Sequence, residues 1–547
     1  MPTPRVFVEL AEALAADSAA ADAADARQPA ARSSSDAVHL SSSSPDLARP
    51  ARPGRWSPLP TYASSHDRPP ALSSPHVHLH PSRLASHDTP SQSSLGSSVN
   101  DSQSARLSLA PSLRSVSSQA TGGSAAGAKL APSATPSIAA KLPKYNGPFK
   151  VGVVDIETAP TETVSKGLLV RIYYPAVAKS LAKKAPWLPK TVMYALGYGD
   201  FLGVPRAVTL GFLAPAFGSI HMPARIGSRL HHASSSPPLP ERLPVVVFSH
   251  GLAGMRTTYS TLCGCLAAKG FVVIAPEHGD GSGSATARNA YKTRIPYVRS
   301  EDNRLGEDEA LDMRLKDMRN DQVEYRTNEV FAAVELLRNL DAGQFDSRKD
   351  NIMHTFCGGF DFRQFAGRLD LDNMAIVGHS FGGATAITAL SRPNHPFACG
   401  VMLDPWMFPV KDPNVTVPFL TIQSETFHWR QNLEEILAML RSDATHSSSR
   451  FGHVKGTAHS DCCDFATLYT KMTRRMRQAG GGDPYHSQLV LDEWITEYLC
   501  TFLDVSGLDI PQYAAFAVDG PMPGVTVPEV AVFGEESIAA LQAGLVK

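Results

Sequence analysis

Ala375-Ile376-Val377-Gly378-His379-Ser380-Phe381-Gly382-Gly383-Ala384-Thr385 is the stretch that decides the fold. Apolar residues run into G-x-S-x-G, and a helix-period stretch from Phe381 to Leu390 follows at once. A serine so placed sits on a sharp strand-to-helix turn, with its hydroxyl exposed at the top of a sheet. Gly378 and Gly382 leave out side chains where the turn crowds its own neighbours. The Phe381 amide, at the helix start, is aimed at negative charge developing on a bound carbonyl oxygen, with the helix dipole behind it. The plainer alternative is a Gly-rich turn without chemistry.

Outward from this turn, short apolar runs alternate with helix-period stretches, the pattern of a mostly parallel sheet covered by helices. Strands are expected at 150–155, 168–174, 245–249, 272–275, 375–377, 400–403, 419–423 and 451–454. Helices are expected at 258–269, 319–340, 381–390, 430–440, 465–476 and 489–502. The fold class is therefore α/β, with helices on both faces and the serine turn after a central strand. Residues 141–547 read as one catalytic domain with two insertions, an apolar segment at 186–220 and a loop at 281–317, and a C-terminal extension from about 505. Residues 1–140 hold 30 Ser, 28 Ala and 16 Pro but only three aromatic residues, Phe7, Trp56 and Tyr62. So few large apolar groups cannot offset the entropy of ordering a chain, and a disordered tail is expected there.

A serine hydroxyl is a poor nucleophile until an imidazole takes its proton, and the imidazole needs a carboxylate to hold its tautomer. Chain order in this architecture runs serine, acid, histidine. Downstream lie His395, His428, His446, His453, His459 and His486. Of these, His459 stands in Gly456-Thr457-Ala458-His459, just past the last clear strand, where a loop can return its ring to the serine. His453 alternates within that strand and reads as structural. Two carboxylates compete for the acid: Asp404 ends the strand after the serine helix, and Glu425 ends the next one. Asp suits a rigid turn, many hydrolases place the acid at the second position, and either group could simply cap a helix. Spacing leaves the choice open. The second oxyanion amide is expected from the loop after Val245-Val246-Val247-Phe248-Ser249, in His250-Gly251-Leu252, with Leu252 first and Gly251 second. His250 itself is expected to be a structural hydrogen-bonder, because the base comes last.

Composition excludes other classes. Lys plus Arg number 51 against 52 Asp plus Glu, so there is no basic surplus to release counterions from nucleic acid. The seven cysteines are odd in number, show no ligand spacing and have apolar neighbours, as reduced structural residues do, and no metal site is expected. The Ala-rich start, with Glu9, Glu12, Asp17 and Asp22, matches neither an apolar secretory segment nor an acid-poor presequence. No run of eighteen apolar residues exists, so an intracellular, cytoplasmic setting without a spanning helix is expected. Segment 186–220, with Trp187, Leu188, Tyr194, Leu210, Phe212 and Phe217 interrupted by Gly and Pro, reads in two ways. It is either a pair of short core helices or an amphipathic surface that docks peripherally into a lipid interface.

An ordered set of stretches resembles a known family. It comprises Leu169-Val170-Arg171-Ile172-Tyr173-Tyr174-Pro175, then Phe248-Ser249-His250-Gly251-Leu252 with Arg256-Thr257 and Tyr259-Ser260, and Glu277-His278 with Asp280. Gly378 to Thr385, Leu403-Asp404 with Trp406-Met407-Phe408-Pro409, Ser424-Glu425 and Gly456 to His459 continue it. These resemble the platelet-activating factor acetylhydrolases, the plasma and type II intracellular group, with fungal-type phospholipases beside them. The resemblance covers about 148–502 and implies the α/β-hydrolase fold and a calcium-independent serine esterase without cofactor. Its implied substrate is a phospholipid bearing a short sn-2 acyl chain. It assigns Ser380 as nucleophile, His459 as base, the Leu252 and Phe381 amides as oxyanion hole, and Asp404 rather than Glu425 as acid. It likens 186–217 to the part of these enzymes that meets lipid surfaces. Pro405 and the Cys462-Cys463 pair depart from the family pattern. The alternatives to this reading are a general carboxylesterase or lipase for soluble esters, and a non-catalytic scaffold whose tail recruits partners.

Overall fold

Val245-Val246-Val247-Phe248 shows how the sheet is built. Val245 and Val247 belong to one buried apolar cluster and Val246 and Phe248 to another, because successive side chains of a strand point to opposite faces. Met374 and Ile376 part from Ala375 and Val377 in the same way. Strands buried on both faces read as continuous apolar runs, and such strands belong in a parallel sheet covered twice over.

The computed structural model describes residues 140–177, 180–299, 309–427, 430–506, 508 and 530–532. The expected tail, apart from Ala140, and most of the extension from 505 lie outside the described residues. Six strands form the parallel centre: β5 (Leu243–Ser249), β6 (Val272–Pro276), β9 (Leu369–His379), β10 (Phe397–Leu403), β11 (Phe419–Ser424) and β12 (Arg450–Val454). Their order is β12-β11-β10-β9-β5-β6. Beyond β6 come β2 (Leu169–Ala176), antiparallel to it, then β1 (Lys150–Glu157), β4 (His221–Ile226) and β3 (Lys184–Pro186). At the other edge β13 (Val530–Val532) pairs antiparallel with β12. The serine turn thus follows β9, between β10 and β5, at the middle of the parallel array.

Helices cover both faces. On the face of Val246 and Phe248 lie α2 (Ser260–Ala268) and α7 (Pro484–Phe502), through Leu262, Leu266, Trp494 and Tyr498. On the other lie α3 (Glu309–Asp341), α4 (Phe381–Leu390) and α5 (Arg430–Leu440). In α3, Val330, Ala333, Val334, Leu337 and Leu340 recur at helix period and are all buried, which fixes the face it turns to the sheet.

The insertions carry more structure than the sequence pattern suggests. Residues 281–317 hold an antiparallel hairpin, β7 (Ala285–Arg288) with β8 (Thr293–Pro296), and the first turns of α3, where a loop is expected. Segment 186–220 packs part of its apolar side chains into the core and leaves others at the surface. Its helix α1 (Thr191–Phe201) buries Tyr194 and Tyr198, and Trp187 meets Phe217 and Phe465 edge-on at 5.6 and 4.9 Å, yet Val192, Leu210 and Phe212 are about half exposed. Trp187 Nε1 also donates to Asp464 Oδ2 at 3.0 Å. The Asp464 carboxylate further accepts the backbone and hydroxyl hydrogens of Ser260 and Thr261, so a residue of α6 (Asp464–Leu468) caps α2. Burial pushes this carboxyl above its ordinary range.

Candidate active site

Ser380 stands between β9 and α4 with φ 56 and ψ −119, a left-handed conformation that non-glycine residues adopt only when their surroundings force it. The surroundings are visible. Its N–H donates to the Leu403 carbonyl at 2.9 Å, and its carbonyl accepts the amides of Ala384 and Trp406 at 3.1 and 3.2 Å. A Cβ on Gly378 would collide with the Gly382 carbonyl, and one on Gly382 with the carbonyls of Ser249 and His250, so both glycines are required by close backbone approach.

His459 lies on a short turn (His459–Cys462) that follows β12, and its Nδ1 is 3.1 Å from Asp404 Oδ2. Phe427 stacks on the His459 ring at 3.7 Å between centroids, and the His379 ring lies 4.5 Å away. Asp404 is buried, at φ 43, and its carboxylate is fully engaged. Oδ1 accepts the Ser424 amide at 2.6 Å, and Oδ2 accepts the Ser424 hydroxyl at 2.6 Å besides facing His459. Glu425 is exposed, and its carboxylate accepts the Gly456 amide, at the base of the His459 loop. Of the two carboxylates that spacing leaves open, geometry brings Asp404 to the imidazole.

The backbone amides of the loop after β5 can be told apart residue by residue by what they donate to. Gly251 N–H donates to the Tyr259 hydroxyl at 3.2 Å, Ala253 N–H to the Ser282 carbonyl at 2.7 Å and Gly254 N–H to the Gly251 carbonyl at 3.1 Å. Leu252 is left, and among the described residues neither its amide nor that of Phe381 donates to another protein group. This favours Leu252 over Gly251. The loop packs tightly on the serine, since a Cβ on Gly251 would come 3.2 Å from Ser380 Cβ. His250 is buried, with Nδ1 2.8 Å from the Gly251 carbonyl and Nε2 accepting the His278 amide, and burial keeps its ring neutral by lowering its pKa. It is the structural hydrogen-bonder the sequence suggested.

Several neighbours lie in stretches the sequence singles out, but their roles are visible only in the structure. The Tyr259 hydroxyl is 2.8 Å from His379 Nδ1 and so joins the β5 loop to the serine turn. Burial first, and the His459 ring second, hold His379 well below the ordinary imidazole range. Behind the loop lies a second serine–histidine–carboxylate relay, with Ser249 Oγ 2.9 Å from His278 Nε2 and His278 Nδ1 2.8 Å from Glu329 Oε2. All three residues are completely buried, and burial pushes the Glu329 carboxyl up to about 8. His379, Asp404 and His459 could each offer one ligand atom to a metal ion, the atoms lying within 4.8 Å of one another. The hydrogen bond between the latter two is the arrangement an acid–base pair uses.

Comparison with known proteins shows what the chain is similar to. The family model for platelet-activating factor acetylhydrolase, isoform II, matches residues 134–509. The platelet-activating factor acetylhydrolase of Gallus gallus is 32% identical over 344 residues, covering 59% of this chain and 74% of that one. That of Canis lupus familiaris is 32% identical over 328 residues, covering 59% and 68%. A solved structure of a ferulic acid esterase from Streptomyces cinnamoneus covers 72% of this chain and 98% of its own, at TM-score 0.46 and 17% identity. The chain belongs to the platelet-activating factor acetylhydrolase family, carboxylic ester hydrolases of the α/β-hydrolase fold.

Proposed function

We propose that this chain hydrolyses the sn-2 ester of phospholipids bearing a short acyl chain, of the platelet-activating factor kind, to a lysophospholipid and a carboxylic acid. Ser380 Oγ attacks the ester carbonyl while His459 Nε2 takes its proton. Asp404, fixed by Ser424, holds the imidazole with Nδ1 protonated and stabilises the imidazolium. The Leu252 and Phe381 amides receive the oxyanion. His459 then protonates the departing alkoxide of the lysophospholipid, and a water activated by the same imidazole releases the acyl group. These steps use the chain's own groups and call on no calcium. The observation that carries the reading is the His459–Asp404 hydrogen bond beside a serine held at φ 56. Leu252 and Trp406, half-buried against Phe381, give the site an apolar wall.

Purified full-length protein tests the proposal by turnover against sn-2 chain length. Rates falling as the sn-2 chain of a phosphatidylcholine lengthens are expected. Good turnover of a water-soluble aryl ester, with none of the short-chain phospholipid, would make the chain a general esterase instead.

The proposal extends to 141–547 as one catalytic domain and to peripheral docking through 186–220. Val192, Leu210 and Phe212 present apolar surface there, and among the described residues no helix is long and apolar enough to cross a membrane. The double variant Leu210→Asp, Phe212→Asp is expected to lose flotation with phosphatidylcholine liposomes while retaining turnover of a soluble ester. Undiminished flotation would overturn the docking surface. The seven free thiols, six of them buried, fit an intracellular, reducing setting.

A further inference from the structure

The two backbone donors proposed for the oxyanion come from segments far apart in the chain, and one buried guanidinium touches both. Arg326, on α3 and fully buried, donates from Nη1 to the His250 carbonyl at 2.6 Å, two residues ahead of Leu252. Its Cζ also lies 4.4 Å from the centroid of the Phe381 ring, on the residue that supplies the other amide. Nε donates to Asp280 Oδ2 at 3.0 Å and to Ser282 Oγ at 2.9 Å, and Nη2 donates to Ser282 Oγ at 2.6 Å. Ser282 in turn accepts the Ala253 amide on its carbonyl at 2.7 Å. Leu252 is therefore bracketed: the residue two before it is held by Arg326 directly, and the residue after it by Ser282, which Arg326 anchors. One turn further along α3, Glu329 accepts the Gly279 amide at 2.9 Å and holds the His278 ring that bonds Ser249, so the same helix face seats the whole loop.

We infer that Arg326 is a positioning residue of the ester hydrolysis. It holds the Leu252 and Phe381 amides at the separation that the tetrahedral oxyanion needs, without touching substrate. The inference rests on the proposed reading of those two amides as the oxyanion hole. An arginine is required because a planar fork must donate in three directions at once while its face lies on an aromatic ring. A lysine can keep the charge opposite Asp280 but cannot fill the remaining contacts. Preorganised donors contribute only if they already stand where charge develops, and displacement by about 1 Å can cost on the order of 10²-fold in rate.

The test compares full-length wild type, Arg326→Lys and Ser282→Ala. Two phospholipid ligands are used: an sn-2 trifluoromethyl ketone, which forms the tetrahedral adduct, and the sn-2 ether, which resembles bound substrate only. For Arg326→Lys, kcat is expected to fall on the order of 10²-fold with KM unchanged. Its ketone affinity should weaken by the same factor as kcat/KM, while ether affinity stays at the wild-type value. Ser282→Ala should move in the same direction by less. Should Arg326→Lys melt without a cooperative transition, Ser282→Ala decides alone. Unchanged ketone affinity in the folded variants overturns the inference, and so does parallel loss of ketone and ether, which a purely structural role would give. If wild type itself formed no ketone adduct, the esterase reading would fail, an outcome distinct from variants that match a reactive wild type.

Discussion

Ser380→Ala is expected to lower kcat by roughly 10⁶-fold, the scale on which serine hydrolases lose turnover with the nucleophile. The fold should survive, because the polar contacts that hold the residue in place are made by its backbone: the N–H to Leu403 and the carbonyl from Ala384 and Trp406. Alanine at φ 56 is no more strained than serine, so the melting temperature should hold while turnover vanishes. Residual catalysis over water would come from the oxyanion donors and binding alone. Steady-state hydrolysis of a short-chain phosphatidylcholine, with a thermal melt of the same sample, reads both quantities. Turnover near wild type would dispose of the nucleophile assignment.

Asp404→Asn carries the second largest expected effect, about 10⁴-fold in kcat. The carboxylate takes three hydrogen bonds on two oxygens, from the Ser424 amide, the Ser424 hydroxyl and His459 Nδ1. Asparagine offers one oxygen and an amine. Whichever way the amide turns, either the Ser424 amide meets an N–H, or the imidazole does and is driven into the wrong tautomer. Glu425→Gln is the matched control. Its carboxylate accepts only the Gly456 amide among the contacts described, at the surface, so turnover should stay close to wild type. A loss in Glu425→Gln as deep as in Asp404→Asn would reverse the assignment of the acid.

These two carboxylates mark where the sequence stops being informative. The serine turn is legible because its determinants are adjacent: an apolar strand, two glycines, a serine and a helix. The acid is not, because Asp404 and Glu425 each end a strand, and the choice depends on register between neighbours. Pairing of β10 with β11 sets Leu403 opposite Ile422, which carries Ser424 to the Asp404 carboxylate and leaves Glu425 one residue further out, turned toward Gly456. Only the family resemblance resolved that choice in advance. The central strands and main helices follow from periodicity, whereas Lys184–Pro186 and the β7–β8 hairpin are too short to show a period. The seat of the loop after β5, proposed to carry an oxyanion donor, is hidden for another reason. Arg326 and Glu329 look like ordinary polar residues of a long helix, and Arg326 meets its partner His250 across 76 positions of chain. The buried Ser249–His278–Glu329 relay shows the converse hazard, a serine–histidine–carboxylate arrangement shut away from solvent.

With two serine–histidine–carboxylate arrangements in the fold, the site of covalent labelling decides which serine is the nucleophile. Full-length protein is treated with a fluorophosphonate, residual hydrolysis of short-chain phospholipid is followed, and the adduct is located by peptide mass mapping. A single adduct on Ser380 is expected, accumulating in step with loss of activity and absent from Ser380→Ala. An adduct on Ser249, or full modification of Ser380 with phospholipid hydrolysis intact, would contradict Ser380 as the nucleophile.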